Sequence, residues 1–201
     1  MTSQNPLEPA RAEEVERRFL FENLPAGIDD GVDMAQTYLD VREVDMIDTD
    51  ISYGTTTLLE RIASDDANEI SSLLLEGAQV AFRIREMQGS LILGIKTRER
   101  PGVRTEWEWV ISDTPEIRVL LASHLPRVSK TRYRLPAGGH LIWELDVFSG
   151  ENGGLMIAEI ELSHLEQEFD RPAWLGEEIT KVDRYLNISL ATTPFRTWSE
   201  K

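Results

Sequence analysis

Carboxylates recur in pairs two residues apart along this chain: Glu14/Glu16, Glu106/Glu108, Glu144/Asp146 and Glu159/Glu161. Basic residues keep the same spacing in Arg83/Arg85 and Lys130/Arg132, with Lys96 and Arg104 between them. Side chains on a β-strand alternate faces, so residues i and i+2 point the same way, about 6.6 Å apart along the strand. The intervening residues Val15, Ile84, Trp107, Leu145 and Ile160 are apolar. Such strands carry one charged face of mixed sign and one greasy face. That surface suits a polyanion held together with a metal. Arg offers a planar fork that matches phosphate oxygens, Lys a compact point charge, and carboxylates the hard oxygen ligands that Mg²⁺ prefers.

The elements that must position these groups are mostly strands. A strand runs from near Glu13 through Phe21, and a Pro/Gly/Asp-rich turn (Pro25 to Asp30) leads to a short apolar segment around Met34–Val41. Residues 43–76 are acidic. Leu58, Leu59, Ile62, Ile70 and Leu73 to Leu75 fit either an amphipathic helix broken at Asp65-Asp66 or an extended hairpin tip. Strands follow at Val80–Glu86, Ser90–Thr97 and Val103–Ser112, with turns at Gln88-Gly89 and Arg100-Pro101-Gly102. Thr114–His124 reads as a helix, with Thr114 or Asp113 as cap and Pro115 in its first turn. Three more strands, Arg127–Leu135, His140–Phe148 and Leu155–Leu162, precede a loop about Pro172 and Trp174 and a helix over Lys181–Leu190. Residues 1–12 read as a flexible leader and 13–197 as a single domain with an inserted segment at about 43–76.

A lone Glu-x-Glu on a strand ordinarily marks a solvated sheet face. Recurrence on nearly every strand, always with apolar neighbours, asks for more. A flat sheet backed by helices is one answer. A barrel with its charged face inward is another, giving a polar lumen and a greasy exterior for helices to cover. Burying so many charges is prohibitive unless they pair or hold ligands.

Composition narrows the function classes. The chain has 201 residues, 41% of them apolar, enough for a sizeable core. Its formal charge of −15 disfavours nucleic acid and anionic membranes as general partners. Without cysteine there are no disulfides, thiolate metal sites or thiol nucleophiles. No apolar run reaches the length of a membrane span, and residues 1–13 lack a signal-peptide pattern, so a cytoplasmic location is expected. His124, His140 and His164 lack ligand spacing, Trp107, Trp109, Trp143 and Trp174 read as exterior packing, and the Gly-rich Ser149–Gly154 reads as a hairpin turn rather than a P-loop.

In this order, the charged motifs resemble the CYTH superfamily, the triphosphate tunnel metalloenzymes. Glu14-Val-Glu16-Arg-Arg18 is similar to that family's Glu-x-Glu-x-Lys strand, with Arg18 in place of the Lys. Arg83-Ile-Arg85 resembles its Arg-x-Arg strand, and Gly94-Ile-Lys96 its Thr-x-Lys strand, with Gly94 replacing Thr. Arg104-Thr-Glu106-Trp-Glu108, Lys130-Thr-Arg132-Tyr133, Trp143-Glu144-Leu-Asp146 and Glu159-Ile-Glu161 continue the series. Pro172, Trp174, Gly176, Glu178-Ile-Thr180, Asp183-Arg184-Tyr185 and Asn187 end it. The likeness runs from Glu14 to about Leu190, interrupted by 43–76.

The resemblance implies an α+β chain built on an eight-stranded antiparallel β-barrel, a tunnel with charged lumen and helices packed outside. It implies hydrolysis of a small-molecule triphosphate, inorganic triphosphate first, with Mg²⁺ or Mn²⁺ as cofactor. Glu14, Glu16 and Glu161 are the first choices for metal binding, with Glu106, Glu108, Glu144, Asp146 and Glu159 as further ligands or water positioners. Arg83, Arg85, Lys96, Arg104, Arg132 and, after them, Lys130 would bind phosphate oxygens. Arg18 stands where a Lys helps hold substrate or orient the nucleophile, and its very high pKa makes it a poor proton acceptor. Related activities of the superfamily are the class IV adenylate cyclase reaction and thiamine triphosphate hydrolysis, and a polyphosphate binder without turnover is the reading from a different class. The inserted segment is a candidate cover for a tunnel mouth or a homodimer contact.

Overall fold

The computed structural model describes residues 7–28, 30–76, 80–97, 103–164 and 166–199. In chain order its strands and helices are β1 (Ala10–Phe21), β2 (Val32–Leu39), β3 (Val44–Ile47), β4 (Asp50–Tyr53), β5 (Thr56–Leu59) and α1 (Ser64–Leu75). Then come β6 (Val80–Met87), β7 (Ser90–Thr97), β8 (Val103–Ile111), α2 (Pro115–Leu121), β9 (Arg127–Pro136), β10 (Ile142–Phe148), β11 (Met156–Leu162), β12 (Leu175–Glu178) and α3 (Asn187–Thr192).

Eight strands close into an antiparallel barrel in the order β11-β10-β9-β2-β6-β7-β8-β1, with β1 returning to pair with β11. Closure follows from the length of β1. Its first half pairs with β8 (Ala10↔Glu108 to Val15↔Val103) and its second with β11 (Val15↔Leu162 to Leu20↔Ile157). The period-2 pattern then decides the faces. Glu14, Glu16 and Arg18 turn inward, while Val15, Phe19 and Phe21 are buried outside the wall.

Two apolar layers cover the exterior. Over β6, β7 and β8, the side chains of Phe82, Ile84, Leu93, Ile95, Trp107 and Trp109 pack against α1, α2 and the small sheet β3-β4-β5. Over β1, β10 and β11, Trp143 sits edge-on to Phe19, Phe169 and Trp174 at centroid distances of 5.8, 5.6 and 5.5 Å. Such contacts add about 0.5–1.5 kcal/mol each to the burial of the rings. A third cluster closes one end of the barrel. There Tyr38, Val128, Phe148, Leu155 and Ile157 meet Ile179, Tyr185 and Leu190 of the C-terminal segment.

Several elements depart from the sequence expectation. β1 begins at Ala10 rather than near Glu13, because its first residues pair with β8. The 43–76 segment is neither one broken helix nor a plain hairpin tip. It forms the three-stranded β3-β4-β5 sheet and then α1, whose first turn contains Asp65 and Asp66, where the helix dipole favours acids. α2 stops at Leu121, capped by the Thr114 side chain, which accepts from the Ile117 amide. The expected Lys181–Leu190 helix is divided into a 3-10 turn at Asp183–Tyr185 and α3. β12 was not foreseen; four residues are too short for periodicity to register. The expected turn at Arg100-Pro101-Gly102 and the first half of the expected leader lie outside the described residues.

Candidate functional site

The lumen is a cavity of about 940 Å³ whose wall carries thirteen of the fifteen charged residues singled out from the sequence. β1 contributes Glu14, Glu16 and Arg18, β6 Arg83 and Arg85, β7 Lys96, and β8 Arg104, Glu106 and Glu108. Arg132 comes from β9, Glu144 from β10, and Glu159 and Glu161 from β11. Every strand of the barrel except β2 delivers one of these charges, and β2 lines the cavity with Met34, Gln36 and Tyr38. Lys130 and Asp146 do not line it. They are buried with each other behind Arg132, with side-chain exposures of 1% and 0%, which removes them from direct contact with a ligand in the lumen.

The charges form a connected lattice. Arg83 Nη2 donates to Glu106 Oε1 at 2.7 Å and Glu108 Oε1 at 3.2 Å, and Arg85 Nη2 to Glu108 Oε1 at 2.5 Å. Lys96 Nζ lies 2.6 Å from Glu14 Oε2 and 3.1 Å from Glu106 Oε2. Glu16 Oε1 is 3.3 Å from Arg104 Nη2 and 3.5 Å from Arg18 Nε. Arg132 binds Glu144, Asp146 and Glu159. This pairing is what makes the burial tolerable.

The lattice leaves donors over. Nε of Arg18, Arg83 and Arg85 is buried without a hydrogen-bond acceptor, and all three guanidinium groups belong to the cavity wall. A buried N–H without an acceptor costs free energy. Gly94 leaves room for the Arg83 side chain: a Cβ there would stand 3.1 Å from Arg83 Nε and 3.4 Å from its Cγ.

Acids crowd on the β1/β11 side. Glu16 and Glu161 are directly opposed in the register of β1 and β11, as are Glu144 and Glu159 on β10 and β11. Burial, then Glu14 and Glu144, push the Glu161 carboxyl up to about 7, and the hydrogen bond that protonated Glu161 donates to the Glu14 carboxylate adds to the effect. Burial, Glu159 and Glu14 likewise raise Glu16, outweighing Arg104 and Arg18. Burial also opposes ionisation of Glu14 and Glu159, yet Lys96 wins at Glu14, which is lowered, and Lys130 and Arg132 win at Glu159, held at about 2. Like-charged carboxylates facing one another across a ladder destabilise it unless a cation intervenes. A hard divalent cation, which prefers oxygen ligands, is the kind of charge that would relieve the repulsion between Glu16 and Glu161. As they stand, no three acidic or histidine side chains among the described residues form a metal cage, and Glu14 is engaged by Lys96.

Two further features escaped the sequence reading. Gln36 accepts from Tyr38 Oη at 2.9 Å and from Arg83 Nη1 at 3.4 Å. The row Met34, Gln36, Tyr38 has the same period-2 spacing as the charged pairs, a signal hidden because its members are uncharged. His140, set aside for want of ligand spacing, stands in the cavity wall with Arg134. Asn187 and Ser189 of α3 reach the wall from the C-terminal segment.

Comparison with known proteins places this geometry. The CYTH domain family model matches residues 70–196. An inorganic triphosphatase of Acetivibrio thermocellus is 37% identical over 122 residues, covering 60% of this chain and 77% of that protein. An inorganic triphosphatase of Nitrosomonas europaea is 36% identical over 116 residues, 56% of this chain and 75% of that one. The crystal structure of an inorganic triphosphatase superposes with a TM-score of 0.55 and 26% identity, covering 89% of this chain and 93% of the other.

Proposed function

The chain belongs to the CYTH domain family of triphosphate tunnel metalloenzymes, and from that membership we infer that it is a metal-dependent triphosphatase converting inorganic triphosphate to pyrophosphate and phosphate. One observation carries the reading most: a single cavity whose wall includes the cationic side chains Arg83, Arg85, Lys96, Arg104 and Arg132, with Arg18 and Arg134 beside them, together with a cluster of mutually repelling carboxylates. The first group matches the oxygens of a linear polyanion, and the second a divalent cation. The two curated relatives named above are both inorganic triphosphatases.

In this reading the cationic wall holds the phosphate chain in line, so that water attacks the terminal phosphorus while the bond to the bridging oxygen breaks and pyrophosphate leaves. Glu14, Glu16 and Glu161 would hold Mg²⁺ or Mn²⁺, with Glu106, Glu108, Glu144 and Glu159 as further ligands or as groups orienting the water. When bound, the divalent ion supplies Lewis-acid neutralisation of the charge on the phosphate oxygens. Arg18 serves as a fixed positive charge. Its Nη groups donate to the carbonyls of Tyr185 and Thr180 at 3.2 and 3.1 Å, and a guanidinium does not accept a proton near neutrality. Glu16 beside it is held in place by that anchoring. Among the described residues no helix is long and apolar enough to cross a membrane; a cytoplasmic location belongs to the same proposal.

Purified protein supplied with Mg²⁺ or Mn²⁺ is expected to release phosphate from inorganic triphosphate, with pyrophosphate as co-product. With ATP, ADP and phosphate should form rather than cyclic AMP. A folded protein that releases no phosphate from triphosphate under either metal would sink the hydrolase reading.

A further inference from the structure

Lys130 and Asp146 carry the same period-2 signature as the lumen charges, yet the structure sets them apart. The Asp146 carboxylate is fully buried and both its oxygens are engaged by cations. Oδ1 accepts from Arg132 Nε at 2.6 Å, and Oδ2 accepts from Arg132 Nη2 at 2.7 Å and from Lys130 Nζ. Neither Asp146 nor Lys130 lines the cavity, whereas Arg132 does. On its far side Lys130 lies 5.4 Å from the ring centroid of Phe148, a member of the apolar cluster that closes the barrel end. A linear arrangement results: apolar end, Lys130, Asp146, Arg132, lumen.

The edge of the guanidinium that Asp146 grips is the important detail. Nε and Nη2 form the planar two-pronged edge, and a carboxylate bound there fixes the plane of the group. Nη1 is left on the opposite side, directed at Glu144, and Nη2 keeps a second contact to Glu159 at 2.7 Å. Of the five guanidinium hydrogens, four are thereby assigned and one on Nη1 remains for a ligand. Glu144 and Glu159 are in the cavity wall, so a phosphate oxygen can displace them from Arg132. It cannot displace Asp146, which no ligand in the lumen reaches.

We propose that Asp146 is a positioning residue rather than a metal ligand: it clamps the inner edge of Arg132 so that the outer edge meets the phosphate chain, and Lys130 balances the clamp from behind. This rests on the triphosphatase reading for its substrate but concerns binding, so the two fail separately. Lys130 plays no direct part in holding phosphate. Its ammonium is committed to Asp146, and burial together with Arg132 lowers its pKa in spite of that partner.

Asp146→Asn removes the charge that holds two cations while keeping the side-chain volume. Because it leaves Lys130 buried without its counter-charge, the double variant Lys130→Met/Asp146→Asn is measured beside it, removing both buried charges at once. Each is read in two ways: by calorimetric binding of inorganic triphosphate in the presence of chelator, where nothing turns over, and by steady-state hydrolysis across a Mg²⁺ titration. Both variants are expected to bind triphosphate about tenfold more weakly, the size of one charge-assisted hydrogen bond, and to raise KM by a similar factor. The Mg²⁺ concentration for half-activation should stay within about twofold of wild type. In an Arg132→Lys background, Asp146→Asn should add less than about twofold, because the residue acts through the guanidinium that is already gone. A folded variant with undiminished triphosphate affinity, or one whose main change is in the Mg²⁺ requirement, overturns the proposal. Additive losses in the Arg132→Lys background do the same. Wild-type protein that binds triphosphate without hydrolysing it removes the enzyme reading and leaves the clamp standing on the binding data, whereas wild-type protein that does not bind triphosphate at all overturns both.

Discussion

Glu16 sits where residue chemistry and fold meet. It is 6% exposed, faces Glu161 across the ladder, and is flanked by Arg18 and Arg104. Glu16→Gln keeps the volume but deletes a ligand charge, and kcat/KM should fall at least about 100-fold, with the Mg²⁺ or Mn²⁺ requirement rising. Its melting temperature should not drop, because the substitution relieves repulsion with Glu159 and Glu14. Rates close to wild type would take Glu16 out of the proposed metal set. At this scale the sequence revealed which residues were charged and which face of a strand they shared. It did not reveal who pairs with whom. Glu144 and Asp146 are two residues apart on β10 and point the same way, yet one lines the lumen and the other is sealed behind Arg132. Depth along the barrel axis separates them, and a strand's own pattern carries no information about depth.

Among the elements, the C-terminal segment depends most on a few polar contacts. Asn152, in the turn between β10 and β11, donates from Nδ2 to the Leu190 carbonyl at 3.1 Å and accepts from the Phe195 amide at 2.8 Å. It is 2% exposed, so both partners would be stranded by truncation. Asn152→Ala should cost about 2–4 kcal/mol in denaturant unfolding, with faster amide exchange confined to α3 and the residues after it. Unchanged exchange there would show that the apolar cluster around Leu190 and Tyr185 holds the segment unaided. The strands of the barrel were largely legible because eight-residue alternation is a strong signal, and β7 (Ser90–Thr97) has the expected bounds. Short elements were not. β3, β4, β5 and β12 have four residues each, too few for a period-2 pattern to stand out from turns. α1 was blurred by Asp65-Asp66, which look like a break but occupy a first helical turn.

For the molecule as a whole, the lumen couples folding to pH and to metal. Glu161 keeps its proton to about pH 7 in the folded chain and loses it near the ordinary value of 4.5 when unfolded. Between those values the folded state binds more protons, so this group makes stability fall as pH rises; the raised Glu16 acts in the same sense. Glu159, lowered to about 2, contributes the opposite slope, but only below the ordinary Glu range. In chelator the melting temperature should therefore decline from pH 5 to pH 7.5. Adding Mg²⁺ at pH 7.5 should restore it, since a ligand that binds only the folded state stabilises it by mass action. Glu161→Gln should flatten the decline, and a melting temperature that climbs across the same window would refute the account. What the sequence by itself determined was the alphabet of the site and its two-faced strands, because residue type and a period of two are local properties. Only the tertiary structure decided that the charged faces close on one another, that one end is stoppered by apolar side chains, and that Lys130 and Asp146 are sealed behind Arg132 at a different depth of the barrel. Those facts depend on strand register and on which chain segments meet, and such pairings are set by the packing of distant residues rather than by neighbours along the chain.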